Sequence, residues 1–231
     1  MLARQITPSV YEISLGMVNA FLINQDELTL IDTGLEGSTH KLMMAIEQIG
    51  RTPGDIRHIL VTHCHPDHAG SLAAIQKACS ATTYMHPADA ALVREGKAKR
   101  PLTPAPGLLN KILYRSFIEK TPSQISPAAV DQEVQDGDLL AIAGGIRAIH
   151  VPGHAAGQLA FFWPQEGGVM FAADTASNVL RLQPSIAYED YEAGLCSLRK
   201  LTVHYFETAC FGHGKAIKHH AVHQFRRKWL K

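Results

Sequence analysis

The chain has 231 residues, 46% of them hydrophobic and 19% charged, which is enough for one domain with a substantial core. Its 22 Lys and Arg against 21 Asp and Glu leave a formal charge of +1, so there is no general field for gathering nucleic acid or an anionic membrane surface. Pro8 and Glu12 interrupt the start where a secretory signal needs an unbroken apolar run, and no apolar stretch reaches membrane-spanning length.

The four cysteines, Cys64, Cys79, Cys196 and Cys210, form no CxxC pair, which fits a reducing compartment. The expectation is a cytoplasmic protein in which Cys79, Cys196 and Cys210 are small core residues.

In chain order, the spacing predicts strands at Val10 to Leu15, Val18 to Ile23 and Leu28 to Ile31. Leu42, Ile46 and Ile49 then recur at helical spacing up to Gly50. A strand from Ile56 to Val61 leads into V-T-H-C-H-P-D-H-A-G, and Leu72, Ile75 and Ala78 continue as a helix. Thr82 to Met85 reads as a strand, followed by His86-Pro87 and a helical Ala88 to Arg94. Prolines at 101, 104, 106, 122 and 127 change the pattern at about 97–127. Leu108, Leu109, Ile112, Leu113 and Phe117 mark one amphipathic helix there, so this segment is expected to be an insertion. Either it caps the site or it is a surface excursion that packs on the domain. Leu139 to Ala143, Ile146 to Val151, Leu159 to Trp163 and Val169 to Ala172 are strands by pattern, and Tyr188 to Leu201 a helix. Ala221, Val222, Phe225 and Trp229 mark a terminal helix with solvated Lys and Arg; His219, His220 and His223 scatter around it and are not taken as ligands.

The segment 61–70 carries the chemistry. A random H-x-H-x-[DE]-H in a chain of this composition is expected about 0.004 times. In extended backbone residues two apart share a side, so His63, His65 and Asp67 can converge while Cys64 and Pro66 point away. Pro66 holds its predecessor extended and suits the first turn of a helix carrying His68. Imidazole and carboxylate are donors for zinc and other divalent ions. His154 in V-P-G-H, Asp174 in F-A-A-D-T and His213 in C-F-G-H-G also stand at strand ends beside small residues. Together these are seven candidate ligands, sufficient for two ions.

L-I-D-T-G, T-H-C-H-P-D-H-A-G, the D-G-D turn at Asp136 to Asp138, V-P-G-H, F-A-A-D-T and F-G-H-G occur in an order that resembles the metallo-β-lactamase superfamily, in its glyoxalase II-like and lactonase-like branch. The resemblance covers nearly the whole chain. It implies an α/β fold, a four-layer αβ/βα sandwich with metals where loops converge at one edge, here as a single domain over 1–231 with the helical insertion. By position, one metal takes His63, His65 and His154, the other Asp67, His68 and His213, and Asp174 bridges them. Asp32 in L-I-D-T-G resembles the acid that holds a metal-bound histidine from behind; the lesser alternative is a turn or N-cap role.

The implied activity is hydrolysis of an ester, thioester or lactone on a small-molecule substrate. Two divalent ions, zinc first with iron or manganese as alternatives, share a hydroxide whose pKa falls toward roughly 7. Asp67 is expected to orient it. His86, after a strand, and Ser177 and Asn178, after Asp174, are candidate substrate contacts.

Departures from relatives narrow the choice. Asp174 stands where cysteine-ligand β-lactamases have Cys, which weakens a β-lactam reading. Ser177 replaces the Tyr common in acyl-homoserine lactonases, and Ala173 replaces a frequent Gly, a change expected to be without consequence. Type II glyoxalases usually add a C-terminal helical domain, whereas only Gly214 to Lys231 follows the last ligand here. Persulfide dioxygenases share the histidine motif but bind one iron, and form the redox alternative. The substrate, the native metal and the oligomeric state are not encoded in these motifs.

Overall fold

Strands that are apolar on both faces must be covered on both, and that requirement organises the whole fold. A computed structural model describes residues 2–230; Met1 and Lys231, the two ends of the expected domain, lie outside the described residues. The N-terminal half supplies β1 (Ala3–Gln5), β2 (Val10–Ser14), β3 (Asn19–Asn24), β4 (Leu28–Ile31), β5 (Ile56–Leu60), β6 (Thr82–Met85), the two-residue β7 (Thr103–Pro104) and β8 (Gln132–Glu133). From the other half come β9 (Leu139–Leu140), β10 (Ile146–His150), β11 (Leu159–Trp163), β12 (Val169–Phe171), β13 (Ala176–Ser177), β14 (Gln183–Pro184), β15 (Ala187–Tyr188) and β16 (Thr208–Cys210). One sheet has the order β1-β2-β3-β4-β5-β6-β8 and the other β16-β12-β11-β10-β9.

Side chains alternate across each strand, so neighbours in sequence enter different cores. Phe21, Ile23, Ile31 and Leu60 of the first sheet meet Phe161, Trp163, Phe171 and Cys210 of the second between the sheets. Leu22, Leu30 and Ile59 face outward against Leu42 and Ile46 of α1 (Thr39–Gln48), Leu72 and Ile75 of α3 (Leu72–Ala78) and Val93 of α4 (Pro87–Arg94). On the far side Ile149, Ala160, Met170 and Ala209 meet Leu198 and Leu201 of α6 (Tyr191–Leu201) and Val222 and Phe225 of α7 (Ala221–Trp229). The result is a four-layer αβ/βα sandwich. No helix among the described residues is long and apolar enough to cross a membrane.

β4 and β5 run parallel, as do β12 and β16, and their C-terminal ends deliver Asp32, the 61–70 loop, Asp174 and His213 to one edge. His154 follows the C-terminal end of β10.

Several elements differ from their sequence expectation. The strand expected over 139–143 pairs only through Leu140, because Ala143, Gly144 and Gly145 all turn in the left-handed region. Tyr188 belongs to β15, paired with β7, and α6 starts at Tyr191 because the Asp190 side chain accepts from the Ala193 N–H at 3.0 Å. Cys210 is buried as expected; Cys79 is only half-buried and Cys196 is exposed on the outer face of α6, so neither is a core residue.

Within 97–127, α5 (Leu108–Leu113) runs into a π-helical turn at Tyr114–Ile118. It buries none of its residues; Leu108 is 75% and Leu109 67% exposed.

Replacing Phe161, fully buried between the sheets, with Ala is expected to cost about 3–5 kcal/mol. Leu108→Ala is expected to change stability by less than about 0.5 kcal/mol. Urea denaturation of the two variants checks the contrast.

Candidate metal centre

Pro66 decides the course of the ligand loop. It forces His65 into extended backbone (φ −58°, ψ 148°) and occupies the first position of α2 (Pro66–Ala69). His63 and His65 therefore project from an extended segment, whereas Asp67 already lies on the helix with His68 and does not share their side. Cys64 points away into the core beneath α3, and its N–H donates to Asp89 Oδ2 at 3.0 Å.

Seven side chains meet at the sheet edge in three overlapping groups: His63, His65 and His154; His63, His68 and Asp174; Asp67, His68 and His213, the ligand atoms of each lying within 4.8 Å of one another. His65 Nδ1 is 3.0 Å from His63 Nε2 and 2.9 Å from His154 Nε2. Asp174 lies between the outer groups: Oδ1 is 3.4 Å from His68 Nε2, while Oδ2 is 3.1 Å from His213 Nε2 and 3.5 Å from His154 Nε2. Asp67 Oδ2 lies 3.3 Å from His213 Nε2.

Outer hydrogen bonds fix which nitrogen carries a proton in four of the five rings; His65, whose Nε2 has no partner, is the fifth. His154 Nδ1 faces the Ala187 carbonyl at 2.8 Å, and His213 Nδ1 the Met17 carbonyl at 2.7 Å. Both acceptors lack protons, so both rings donate outward. His68 Nδ1 likewise meets Asp32 Oδ2 at 2.8 Å. His63 Nδ1 meets Thr62 Oγ1 at 3.0 Å, and that hydroxyl spends its own proton on Asp32 Oδ2 at 2.8 Å. In the neutral rings the four inner Nε2 atoms are then lone pairs, turned on one another and on two carboxylates. His68 Nε2 and Asp174 Oδ1 are buried without any hydrogen-bond partner. Such a set of proton-free donors fits divalent cations bound by imidazole and carboxylate.

The electrostatics divide the same way. Burial holds His63, His65 and His154 below the ordinary imidazole value. Desolvation pulls His68 and His213 down too, but Asp174 and Asp67 outweigh it and raise both. Desolvation would raise Asp67 and Asp174, yet His68 and His213 hold them below the usual carboxylate range.

Asp32 accepts from the Thr62 N–H at 2.8 Å as well, so one buried carboxylate fixes His68 directly and His63 through Thr62. The other residues named from sequence lie elsewhere. His86 caps α4 through the Ala88 N–H and stacks on His150 at 4.1 Å, outside the cluster. Asn178 is spent on backbone, its N–H to the His213 carbonyl at 3.0 Å and its Nδ2 to the Lys215 carbonyl at 2.7 Å, which anchors the loop carrying His213. Ser177 pairs with Gln183 in the β13–β14 ribbon.

Sequence reasoning missed an ionic cluster behind the centre. Asp89 is fully buried and receives the Gly157 N–H at 3.1 Å and Arg100 Nη1 at 2.8 Å, besides the Cys64 N–H. Arg100 also reaches Glu189 Oε1 at 3.3 Å, and Glu189 Oε2 accepts from the Ala156 N–H at 3.0 Å. The loops carrying His63–His68 and His154 are thereby tied to segment 97–127 through Arg100. In sequence Asp89 reads as an ordinary first-turn acid and Arg100 as part of a solvated K-A-K-R run. A side chain on Gly212 would put its Cβ 2.1 Å from Asp174 Oδ1, so the bare glycine in F-G-H-G is what lets that loop reach the cluster. Ala173, expected to be without consequence, has φ 46° and carries left-handed strain beside Asp174.

The sequence model of the metallo-beta-lactamase superfamily matches residues 13–202. The uncharacterised protein YobT of Bacillus subtilis is 31% identical over 68% of this chain and 61% of its own. An atrochrysone carboxyl ACP thioesterase of Pseudocercospora fijiensis is 25% identical over 92% of this chain and 54% of its own. The chain thus spans between half and two-thirds of the length of these relatives. MEM-A1, a subclass B3 metallo-beta-lactamase from a soil metagenome library, shares the fold with a TM-score of 0.75, covering 100% of this chain and 93% of that one at 18% identity.

Two outcomes follow from this geometry. Below the unfolded imidazole value of 6.5, the unfolded chain binds protons that His63, His65 and His154 refuse, so stability of the metal-free protein rises with pH. Above it the folded chain retains protons on His68 and His213, and stability falls as pH rises through their raised values. Melting of chelated protein from pH 5 to 9 should therefore peak near 6.5, whereas a monotonic profile would contradict the assignment. Ala173→Gly is expected to gain roughly 0.5–1 kcal/mol in urea denaturation, left-handed strain exceeding the entropy of glycine.

Proposed function

Since the chain belongs to the metallo-beta-lactamase superfamily, we propose that it is a dinuclear metal-dependent hydrolase acting on an ester, thioester or lactone of a small molecule. One observation carries the reading: the buried carboxylate of Asp174 lies against His68 with one oxygen and His154 and His213 with the other, which suits an acid shared by two ions. A mononuclear oxygen-activating centre needs no such shared carboxylate. When bound, a pair of divalent cations supplies an activated water at neutral pH and a Lewis acid for the substrate carbonyl.

The chain's own groups do the rest. His63, His65 and His154 stay neutral at physiological pH and so offer lone pairs without first losing a proton. Asp67 and His213 are the accessible members, at 30% and 28% side-chain exposure, which makes their side of the cluster the approach for substrate. A carboxylate held as acidic as Asp67 is a poor proton acceptor; its part is to orient a nucleophilic water through a hydrogen bond. Asp32 and Thr62 keep the rings of His63 and His68 aimed inward throughout.

An acyl substrate matches this set because no side chain of the cluster is poised as a separate base. The thioesterase named among the relatives supports the same class. Zinc is the proposed metal, with manganese or iron as the outcomes that would revise it.

Metal analysis of purified protein should return about two zinc per chain. His65→Ala should lose bound metal and turnover together on a panel of thioesters, lactones, β-lactams and phosphodiesters. Full activity in the metal-depleted variant, or one tightly held iron in the native protein, would sink the proposal.

A further inference from the structure

Beside the centre lies a cavity of about 380 Å³, within the range of small-molecule sites. One wall is the β14 ribbon with Arg181, Gln183, Pro184 and Ser185, which descends directly from Asp174 through β13. The other wall is the insertion, where Leu108 and Leu109 of α5 face the space, held over it by the Ala105 N–H to the Ile186 carbonyl at 2.8 Å and by the β7–β15 ribbon. Tyr191 of α6 and Lys228 of α7 complete the lining.

Ser185 connects cavity and centre. It lines the cavity, and its Oγ is 2.9 Å from His154 Nδ1. Tyr191 packs edge-on against Tyr188 at 5.3 Å, and Tyr188 in turn packs edge-on against His154. One residue therefore separates this space from the first ligand group.

Its chemistry is mixed in a particular way. Leu108 and Leu109 are large apolar side chains left 75% and 67% exposed, with no element of the described residues covering them. Arg181 and Lys228 stand at the same cavity, and neither has a carboxylate within ion-pair distance among the described residues. Burial and the Arg181 charge depress Lys228, as two like charges sharing one opening must. An anion would relieve that repulsion, and a short apolar stem behind it would cover the two leucines.

Resting on the hydrolase reading, we propose that this cavity binds the anionic end of an amphiphilic substrate arm, a carboxylate or phosphate on an apolar stem, with Arg181 and Lys228 as the anion partners and Leu108 and Leu109 as the stem contact.

Direct binding tests the cavity apart from catalysis. Equilibrium dialysis of decanoate and of decyl phosphate, on metal-loaded and on chelated protein, should give saturable binding that Arg181→Gln/Lys228→Gln weakens about tenfold or more. Turnover then identifies the source of the charge. If the arm is the acyl group, the double variant lowers kcat/KM for the glutaryl thioester of N-acetylcysteamine relative to its acetyl thioester. If the arm is the thiol, the loss falls instead on acetyl phosphopantetheine relative to the same acetyl thioester. Either selective loss supports the cavity. Unsaturable binding, equal binding by the double variant, or unchanged ratios for both substrates overturn it. Saturable, charge-dependent binding without any hydrolysis would instead overturn the hydrolase reading and leave the cavity standing.

Discussion

Imidazoles and carboxylates crowded at one sheet edge cost free energy, and hydrogen bonds on the outer side of four of the rings hold them there. The carbonyls of Ala187 and Met17, the Asp32 carboxylate and the Thr62 hydroxyl each take the proton that would otherwise relieve the crowding. Unpartnered buried polar groups are otherwise rare because they cost about 1–3 kcal/mol each. Here His68 Nε2 and Asp174 Oδ1 are left without a hydrogen bond, 3.4 Å from one another, so a group that satisfied both would add to the stability of this edge.

The rest of the architecture serves that constraint. Two stacked sheets place four strand ends together, and their alternating side chains fill three cores, so the ligand-bearing loops start from rigid elements. Loops alone would not hold imidazole nitrogens at 2.9–3.0 Å from one another. Asp89 and Glu189 add cross-loop ties by collecting the backbone N–H groups of Cys64, Gly157 and Ala156. A buried carboxylate such as Asp89 is costly unless paired, and Arg100 supplies the pairing.

Much of this was legible in the sequence. Strand periodicity located the central strands because both faces of each are buried, and Leu28–Ile31, Thr82–Met85 and Leu159–Trp163 match their expected limits. The residues that converge at the edge were legible as candidate ligands because metal chemistry restricts residue type, and Pro66 sets the geometry between His65 and His68. What stayed hidden is long-range and pairwise. Nothing local distinguishes Asp89 from a helix-start acid, or Arg100 from a surface cation, until the chain brings them within 2.8 Å. Two-residue ribbons such as β7 and β15 leave no periodic signal, and so the pattern alone assigns Tyr188 to the following helix. Asp67 leaves the side of His63 and His65 because the helix begins at Pro66 and ends the period-two alternation after His65.

The attachment of the insertion bears on how selectivity could be changed. It meets the sandwich through the ribbon at Thr103–Pro104, the Arg100 ion pairs and backbone bonds around Gly96 and Ile125, while α5 contributes no buried residue to any core. Ala98 and Ile125 of the segment do enter the core, whereas the α5 surface can be altered with little effect on the packing of the sandwich. Arg100 is the exception. Losing it would strip the counter-charge from Asp89 and loosen the loops that carry His63–His68 and His154.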